Sequence, residues 1–370
     1  MRYLIVSVIS FIFLSGCREK YDPPFSSLPK SFLVVEGNLN TGTGLTSIRL
    51  TKTVKLGDPI KIIGETNAQL TVEGKDNSIR GLTGTGNGLY TSPSLNLIIG
   101  NEYRLRIKTS AGKEYLSDYI KAKANPDIDS VSWEEDNDGL NIYVNTHDPS
   151  NATKYYHWEY TETWEQRSTY YSSYIYQNGI VRRRNFPGED VSVCWRYDTS
   201  STIFLANSTR LLEDVISKKS IIKIPKGNEK LAVRYSVLVK QYALEKEAYS
   251  FYELMKKNTE DLGSFFDTQP SEIRGNVHNT SDPNEYVIGY VTACAEKQKR
   301  VFITIPWRHV LPCEVVTIPN IPDSIYQAFG PSGSYIPLDF SNPPGEYTGA
   351  TRICADCRLR GGSTIKPSYW

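Results

Sequence analysis

Six cysteines offer the most chemistry in this sequence: Cys17, Cys194, Cys294, Cys313, Cys354 and Cys357. The last two stand as Cys354-Ala355-Asp356-Cys357, a spacing shared by dithiol redox sites and zinc knuckles. A redox pair wants a helix N-terminus to lower the first thiol's pKa, and no helix is predicted there. A zinc site wants a second ligand pair, and neither a second CxxC nor an HxxxH occurs. His147, His157, His278 and His309 are scattered, and each reads as a hydrogen-bonded surface or loop residue. No metal or cofactor is therefore expected, and the motif reads as a structural staple. With Cys17 set aside, five thiols allow two bridges and leave one over. The preferred pairing joins Cys313 to Cys354 or Cys357, tying a Pro-rich stretch to the final strand.

Acid–base chemistry finds little footing. Glu134, Glu135, Asp136 and Asp138 are close in sequence but straddle a hairpin turn, where acids are ordinarily solvated. They also lack the twelve-residue spacing of an EF-hand calcium loop. A glycosidase would need two carboxylates converging across a cleft. No Gly-x-Ser-x-Gly elbow is present, and Gly330-Pro331-Ser332-Gly333-Ser334 reads as a turn. Phosphate-binding and dinucleotide fingerprints are missing as well. No catalytic residue is assigned, and the chain reads as a non-enzyme.

The aromatic residues exceed expectation. Nine of the twenty-two residues from 155 to 176 are Tyr or Trp: Tyr155, Tyr156, Trp158, Tyr160, Trp164, Tyr170, Tyr171, Tyr174 and Tyr176. A strand period of two puts Tyr156, Trp158 and Tyr160 on one face, with His157, Glu159 and Thr161 on the other. Trp158 and Tyr160 then read first as the core face of a sandwich, with phenol hydroxyls reaching its rim, and alternatively as part of a partner-binding surface. Tyr170, Tyr171 and Tyr174 are flanked by Ser and Thr, and read as a binding surface of rigid amphipathic rings. Tyr156 and Trp164 join that candidate surface, as do Arg182, Arg183 and Arg184, which could face an acidic partner or a lipid headgroup.

The elements that must position these residues follow from the rest of the chain. Residues 3–14 are almost wholly apolar behind Arg2, too short to span a bilayer but suited to a signal-peptide core. The run ends in Leu14-Ser15-Gly16-Cys17, which resembles a bacterial lipobox, so residues 1–16 read as the signal and Cys17 as the acylated first residue. Several acyl chains hold far more firmly than one. Residues 17–30 read as a lipidated tether, its extended part reaching about 35 Å. From Phe32, strands at 32–37, 47–53, 69–73, 89–91, 102–108 and 115–120 alternate with Gly- and Asn-rich turns. They predict an immunoglobulin-like sandwich over 31–125, closed by Asn125-Pro126. A larger β-sandwich over 126–370 follows, with strands at 128–134, 140–145, 154–165, 170–177, 192–197, 221–224, 231–242, 287–292 and 300–305. Residues 208–216 are predicted as a short helix. Leu244, Ala248, Phe251, Tyr252 and Met255 fall on one face of another helix near 244–258, predicted to cover a sheet face. The class is thus mainly β with one or two covering helices, and 370 residues argue for two domains.

Charge excludes one class of partner. The chain carries 42 basic and 41 acidic residues, and removing Arg2 with the signal leaves 41 of each. No nucleic acid is expected, because phosphate neutralisation needs a basic field.

The lipobox, Leu33-Val34-Val35-Glu36-Gly37, Ile48–Thr53, Pro126–Trp133, Gly275-Asn276-Val277-His278 and Cys354–Ser363 together resemble the DUF4249 lipoproteins of Bacteroidota. That resemblance implies an outer-membrane lipoprotein, often encoded beside a SusC-like TonB-dependent receptor. Glu19 and Asp22, interrupted by Lys20, faintly resemble the export tags of surface-exposed lipoproteins, so a lipid-anchored, surface-exposed location is expected. The leading function is non-catalytic binding of a ligand or partner in nutrient uptake. An envelope hydrolase acting on polysaccharide or peptide, and a structural or assembly component of the outer membrane, are the alternatives. Metabolic labelling with a fatty-acid alkyne should mark the wild-type protein in the membrane fraction, and Cys17→Ser should abolish the label.

Overall fold

Alternation of buried and exposed residues builds the first unit. In the computed structural model, which describes residues 31–54, 62–260 and 273–370 apart from Pro306, Asn342 and Pro344, the chain is mainly β. The signal, Cys17 and tether expected over 1–30 lie outside the described residues. Strands β1 (Leu33–Asn38), β2 (Thr46–Lys52), β3 (Ile63–Gly64), β4 (Gln69–Gly74), β5 (Ile79–Gly86), β6 (Leu89–Ser92), β7 (Glu102–Lys108), β8 (Glu114–Ser117) and β9 (Ile120–Lys121) come first. In β7, Tyr103, Leu105 and Ile107 point inward while Arg104 and Arg106 on the other face hold Glu73. β5 passes between two sheets, pairing with β4 by its first half and β6 by its second. Val35, Ile48, Leu50, Val72 and Leu105 are fully enclosed between them.

The second unit opens with β10 (Ile128–Glu135), β11 (Gly139–Asp148) and β12 (Tyr155–Arg167), followed by the hairpin of β13 (Tyr174–Gln177) and β14 (Ile180–Arg183). Strands β15 (Val193–Thr199), β16 (Phe204–Asn207), β17 (Asp214–Pro225) and β18 (Tyr235–Leu244) come next, then helix α1 (Lys246–Thr259). One sheet runs β10-β11-β17. The other, with β21 (Lys297–Ile303), runs β15-β12-β18-β21, and β16 also pairs with β12. Their facing sides enclose Leu140, Ile142, Val144, Tyr156, Trp158, Ile222, Ile224 and Val237. Helix α1 covers the outer face of the second sheet, burying Ala248 and Phe251 with Tyr155, Tyr242 and Leu244 nearby, as its apolar stripe predicts.

Three expectations need correction. Residues 126–370 do not all belong to the second unit: β19 (Val277–Asn279) pairs with β8, and β20 (Val287–Ile288) runs parallel to β1. The first sheet has two free edges, and this returning segment covers both while adding Val277, Val287, Val291 and Ala293 to that core. Gly289 makes the crossing possible, with φ +126° and no room for a Cβ, which would lie 1.9 Å from the Val35 oxygen. Residues 208–216 are a turn rather than a helix. Asp214 is buried and accepts hydrogen bonds from the Tyr156 and Ser208 hydroxyls, and β17 starts there. The chain's end is not a strand. After β22 (Val315–Pro319), α2 (Pro322–Phe329), β23 (Tyr335–Ser341) and β24 (Glu346–Thr351), it forms the short turn α3 (Arg352–Ala355) and a 3-10 turn over Cys357–Arg360.

Two crossings from the first unit to the second, at Pro126 and at Ala295, meet at one buried amide. Gln241 is wholly enclosed; it accepts from the Trp158 indole at 2.9 Å and donates to the Pro126 carbonyl at 2.8 Å and the Thr146 hydroxyl at 3.1 Å. Asn125 beside it donates to the carbonyls of Gln241 and of Ala295 on the returning segment. Replacing Gln241 by Leu strands several buried polar groups, each costing about 1–3 kcal/mol. Urea unfolding of Gln241→Leu should show a loss of about 3 kcal/mol, against under about 1 kcal/mol for an exposed substitution such as Lys223→Gln.

Candidate functional site

Among the described residues the second sandwich is closed along one side and, apart from the approach of β16 to β17, open along the other. On the closed side β10 lies beside β21, and Lys299 donates to the carbonyls of Ile128 and Asp129. On the open side β17 is the last strand of its sheet. The Lys226 N–H donates to the Asp138 carbonyl, and hydrogen-bonded pairs recur every second residue of an antiparallel ladder. Ile224 and Ile222 therefore bond to Leu140 and Ile142 of β11, while the backbone N–H and C=O of Lys223 point outward.

A groove of about 270 Å³ runs between this edge and β12. Ile222 and Ile224 line one wall, Tyr160 and Phe204 the other, and Asn228 and Lys230 close one end. Tyr160 and Phe204 have ring centroids 5.8 Å apart. Burial, then the charges of Glu162 and Asp198, push the Tyr160 phenol up to about 12, so it stays a neutral donor at physiological pH. Among the described residues its hydroxyl has no partner. Glu162 also lines the groove and is 2 % exposed. Its oxygens are held by the Lys230 ammonium and, at 2.7 Å, by the Tyr235 hydroxyl. This carboxylate works as an anchor for those two side chains. The Lys230 ammonium also lies 4.9 Å from the Trp164 ring, whose other neighbour is the Arg196 guanidinium at 5.1 Å. The arrangement offers a slot between isoleucine and aromatic side chains whose exposed lining is more polar than apolar, and, among the described residues, one free phenol and an unpaired strand edge.

The aromatic stripe divides. Tyr156, Trp158 and Trp164 are core, and of the aromatic residues on that face only Tyr160 reaches the groove, so the first three present no surface to a partner. Tyr174 is buried too, edge-on to Tyr347 at 5.8 Å, with the Arg183 guanidinium 5.6 Å above it. Tyr170 is half-buried; its N–H donates to the Cys354 carbonyl and its ring packs beside Ile336 and Leu338. Tyr171 alone stays open at 54 % exposure, stacked 5.3 Å from Phe186. The arginines are mostly committed. Arg182 pairs with Glu189, and Arg184 is buried against the Ser172 hydroxyl and the Glu189 carbonyl. Phe204, Glu162, Lys230 and the isoleucines of β17 were not singled out from the sequence. The available signal was Glu162 itself, a carboxylate at a core-face position between Tyr160 and Trp164.

Among the described residues the cysteines form two bridges, Cys194–Cys357 and Cys313–Cys354, leaving Cys294 free and buried. The CxxC motif is thus shared between two staples, and Cys313 takes the first of its two expected partners. Burial pushes the Cys294 thiol up to about 12, which makes it a poor nucleophile. Gly362 lies against Cys194, where an added Cβ would come within 2.5 Å, and Ser363 exchanges both backbone hydrogen bonds with Trp195. No group of His, Cys, Asp and Glu suited to a metal occurs among the described residues.

Comparison with known proteins bears on the family. The model of a domain of unknown function, DUF4249, matches residues 18–300. The chain belongs to the DUF4249 family. The matched span stops short of Cys354–Ser363, so membership rests on the two sandwiches and not on the C-terminal cysteine motif. No curated protein matches this DUF4249 chain. Among solved structures, the selenomethionine-substituted chicken interferon gamma receptor alpha chain is 12 % identical, covering 58 % of this chain and 90 % of that one. Its TM-score is 0.16, too low to add to the fold described above. No described helix is long and apolar enough to cross a membrane.

Of the four histidines, His147 and His278 face Asp129 and Asp118, and His309 lies 3.1 Å from the Gly227 carbonyl. His157 departs from the surface role expected of it. It is enclosed beneath α1, 4.8 Å from the Tyr252 ring, and burial lowers it from 6.5 to about 4. Below about pH 6.5 the unfolded chain gains a proton that the folded chain refuses, so this stability is complete above 6.5 and lost as pH falls toward 4. The loss amounts to about 3 kcal/mol. His157→Phe should flatten the acid side of the urea-midpoint profile between pH 6.5 and 4, and an unchanged slope would contradict the burial argument.

Proposed function

We propose that this DUF4249 protein is a non-catalytic lipoprotein of the bacterial outer membrane, anchored by acyl chains on Cys17 and facing the cell surface. It binds a ligand or protein partner as an accessory to a SusC-like TonB-dependent receptor in nutrient uptake. The Leu14-Ser15-Gly16-Cys17 sequence supports the anchor. One observation carries the binding role: the groove beside β17 offers a slot between isoleucine and aromatic side chains and, among the described residues, an unpaired strand edge, while its carboxylate, Glu162, is held by Lys230 and Tyr235.

The receptor and Bacteroidota source are supported by the lipobox and the family resemblance. A neutral mature chain suits a partner met by shape and local charge rather than by a broad field. Tagged protein solubilised in mild detergent should co-purify a β-barrel receptor at comparable stoichiometry. Recovery of the lipoprotein without any such receptor would overturn the accessory role.

A further inference from the structure

We propose that the β17 groove is a strand-addition site: an extended acidic peptide segment pairs with the outward backbone edge at Lys223 and inserts an apolar side chain between Tyr160, Phe204, Ile222 and Ile224. This deepens the binding role proposed above by naming the chemistry of the partner.

Three features converge on this. The first is the edge. Among the described residues the outward N–H and C=O of Lys223 have no bond, whereas carbonyls at the start of the opposite edge strand, β10, are capped by Lys299. An unpaired edge is a template for another strand. The second is the slot, where Tyr160, Phe204, Ile222 and Ile224 sit beside that edge within a lining that is otherwise polar, and where the Tyr160 phenol is free to donate. Main-chain bonds would supply affinity and the slot would select a side chain at alternate positions of the added strand. The third is charge. Lys219, Lys223 and Lys226 lie on β17 or the turn that follows it. Among the described residues Lys219 and Lys226 have no acidic partner, and Lys223 has only Asp138, 3.8 Å away and itself exposed. Burial and the nearby Lys256 ammonium disfavour the charged form of Lys219, a cost an arriving carboxylate would relieve. A second copy paired edge to edge would set these lysines against one another, so the chemistry selects an acidic strand over self-association.

The probe is a capped peptide of alternating Val and Glu carrying a fluorophore, titrated against the mature protein with both disulfides intact. Saturable binding is expected, with none for the alternating Val and Lys peptide. The Val-Glu peptide N-methylated on the edge that would face β17 should also fail, because its side chains are kept while its donors are removed. Lys223→Pro deletes the outward N–H at an edge position where proline is tolerated, and should weaken binding about tenfold or more with the melting temperature held. Should that variant unfold, Lys223→Glu keeps the N–H and must still reverse the preference between the two peptides. Equal binding of the N-methylated peptide, or no binding by the parent peptide, would overturn strand addition. A dimer of the protein alone that is lost in Lys223→Pro would give the edge to a second copy and overturn it too. If a receptor still co-purifies with Lys223→Pro at the wild-type level, this inference fails while the accessory role stands.

Discussion

The architecture depends on a single buried amide satisfied from several directions. The chain passes from its first sandwich to its second at Asn125-Pro126 and again through Ala295, and Gln241 with Asn125 ties these two passages to the Trp158 indole. A buried polar network of this kind tolerates no half-measures, since each member left without its partner costs more than the intact bond contributes. The outcome is a fixed register: Trp158 can face only the β10-β11-β17 sheet, so the even-numbered side of β12 is core from Tyr156 onward. Where β17 reaches the end of that cover, the same side emerges at Tyr160 and Glu162. The groove is a consequence of where the covering sheet stops.

The other half of the frame comes from covalent closure. Cys194–Cys357 clips the C-terminal segment against β15, and Cys313–Cys354 closes a separation of 41 residues beside it. A closed loop of that length is worth about 4 kcal/mol in the chain-entropy account. Beyond the clip, Tyr369 and Trp370 lie across the outer sheet face, the Tyr369 hydroxyl 2.8 Å from that of Thr163 and the Trp370 ring beside Arg234. Helix α1 and this terminal strap thus cover parts of the same outer face of the β12 sheet. Among the described residues the edge of β17 is left uncovered at Lys223.

Local periodicity was legible in the sequence, and long-range partnership was not. Strand β7 was read to both of its bounds because three inward residues alternate without interruption, and α1 was read from an unbroken apolar stripe. Strand β5 was missed because Gly84 and Gly86 look like turn residues, whereas here they sit where the strand passes from one sheet to the other. The return of residues 277–294 to the first unit could not be read, since nothing local says which sheet edges remain unpaired. The aromatic stripe was assigned to the right strand faces, yet its cover arrives from β17, many residues later. Tyr174, next to Ser172 and Ser173, reads as surface in the sequence and is buried against Tyr347, from a strand far along the chain. The bridge between Cys194 and Cys357 spans 163 residues and left no trace in spacing.

The central claim is that the Lys223 edge of β17 is open while its neighbours are locked, and residue-resolved amide hydrogen exchange on the free protein tests it most directly. The amides of Ile222 and Ile224, bonded to β11, should exchange at the slow rate of the sandwich core, while the Lys223 amide between them exchanges close to the rate of an unstructured chain. Equal protection of all three would mean that the edge is already covered, and would contradict the account.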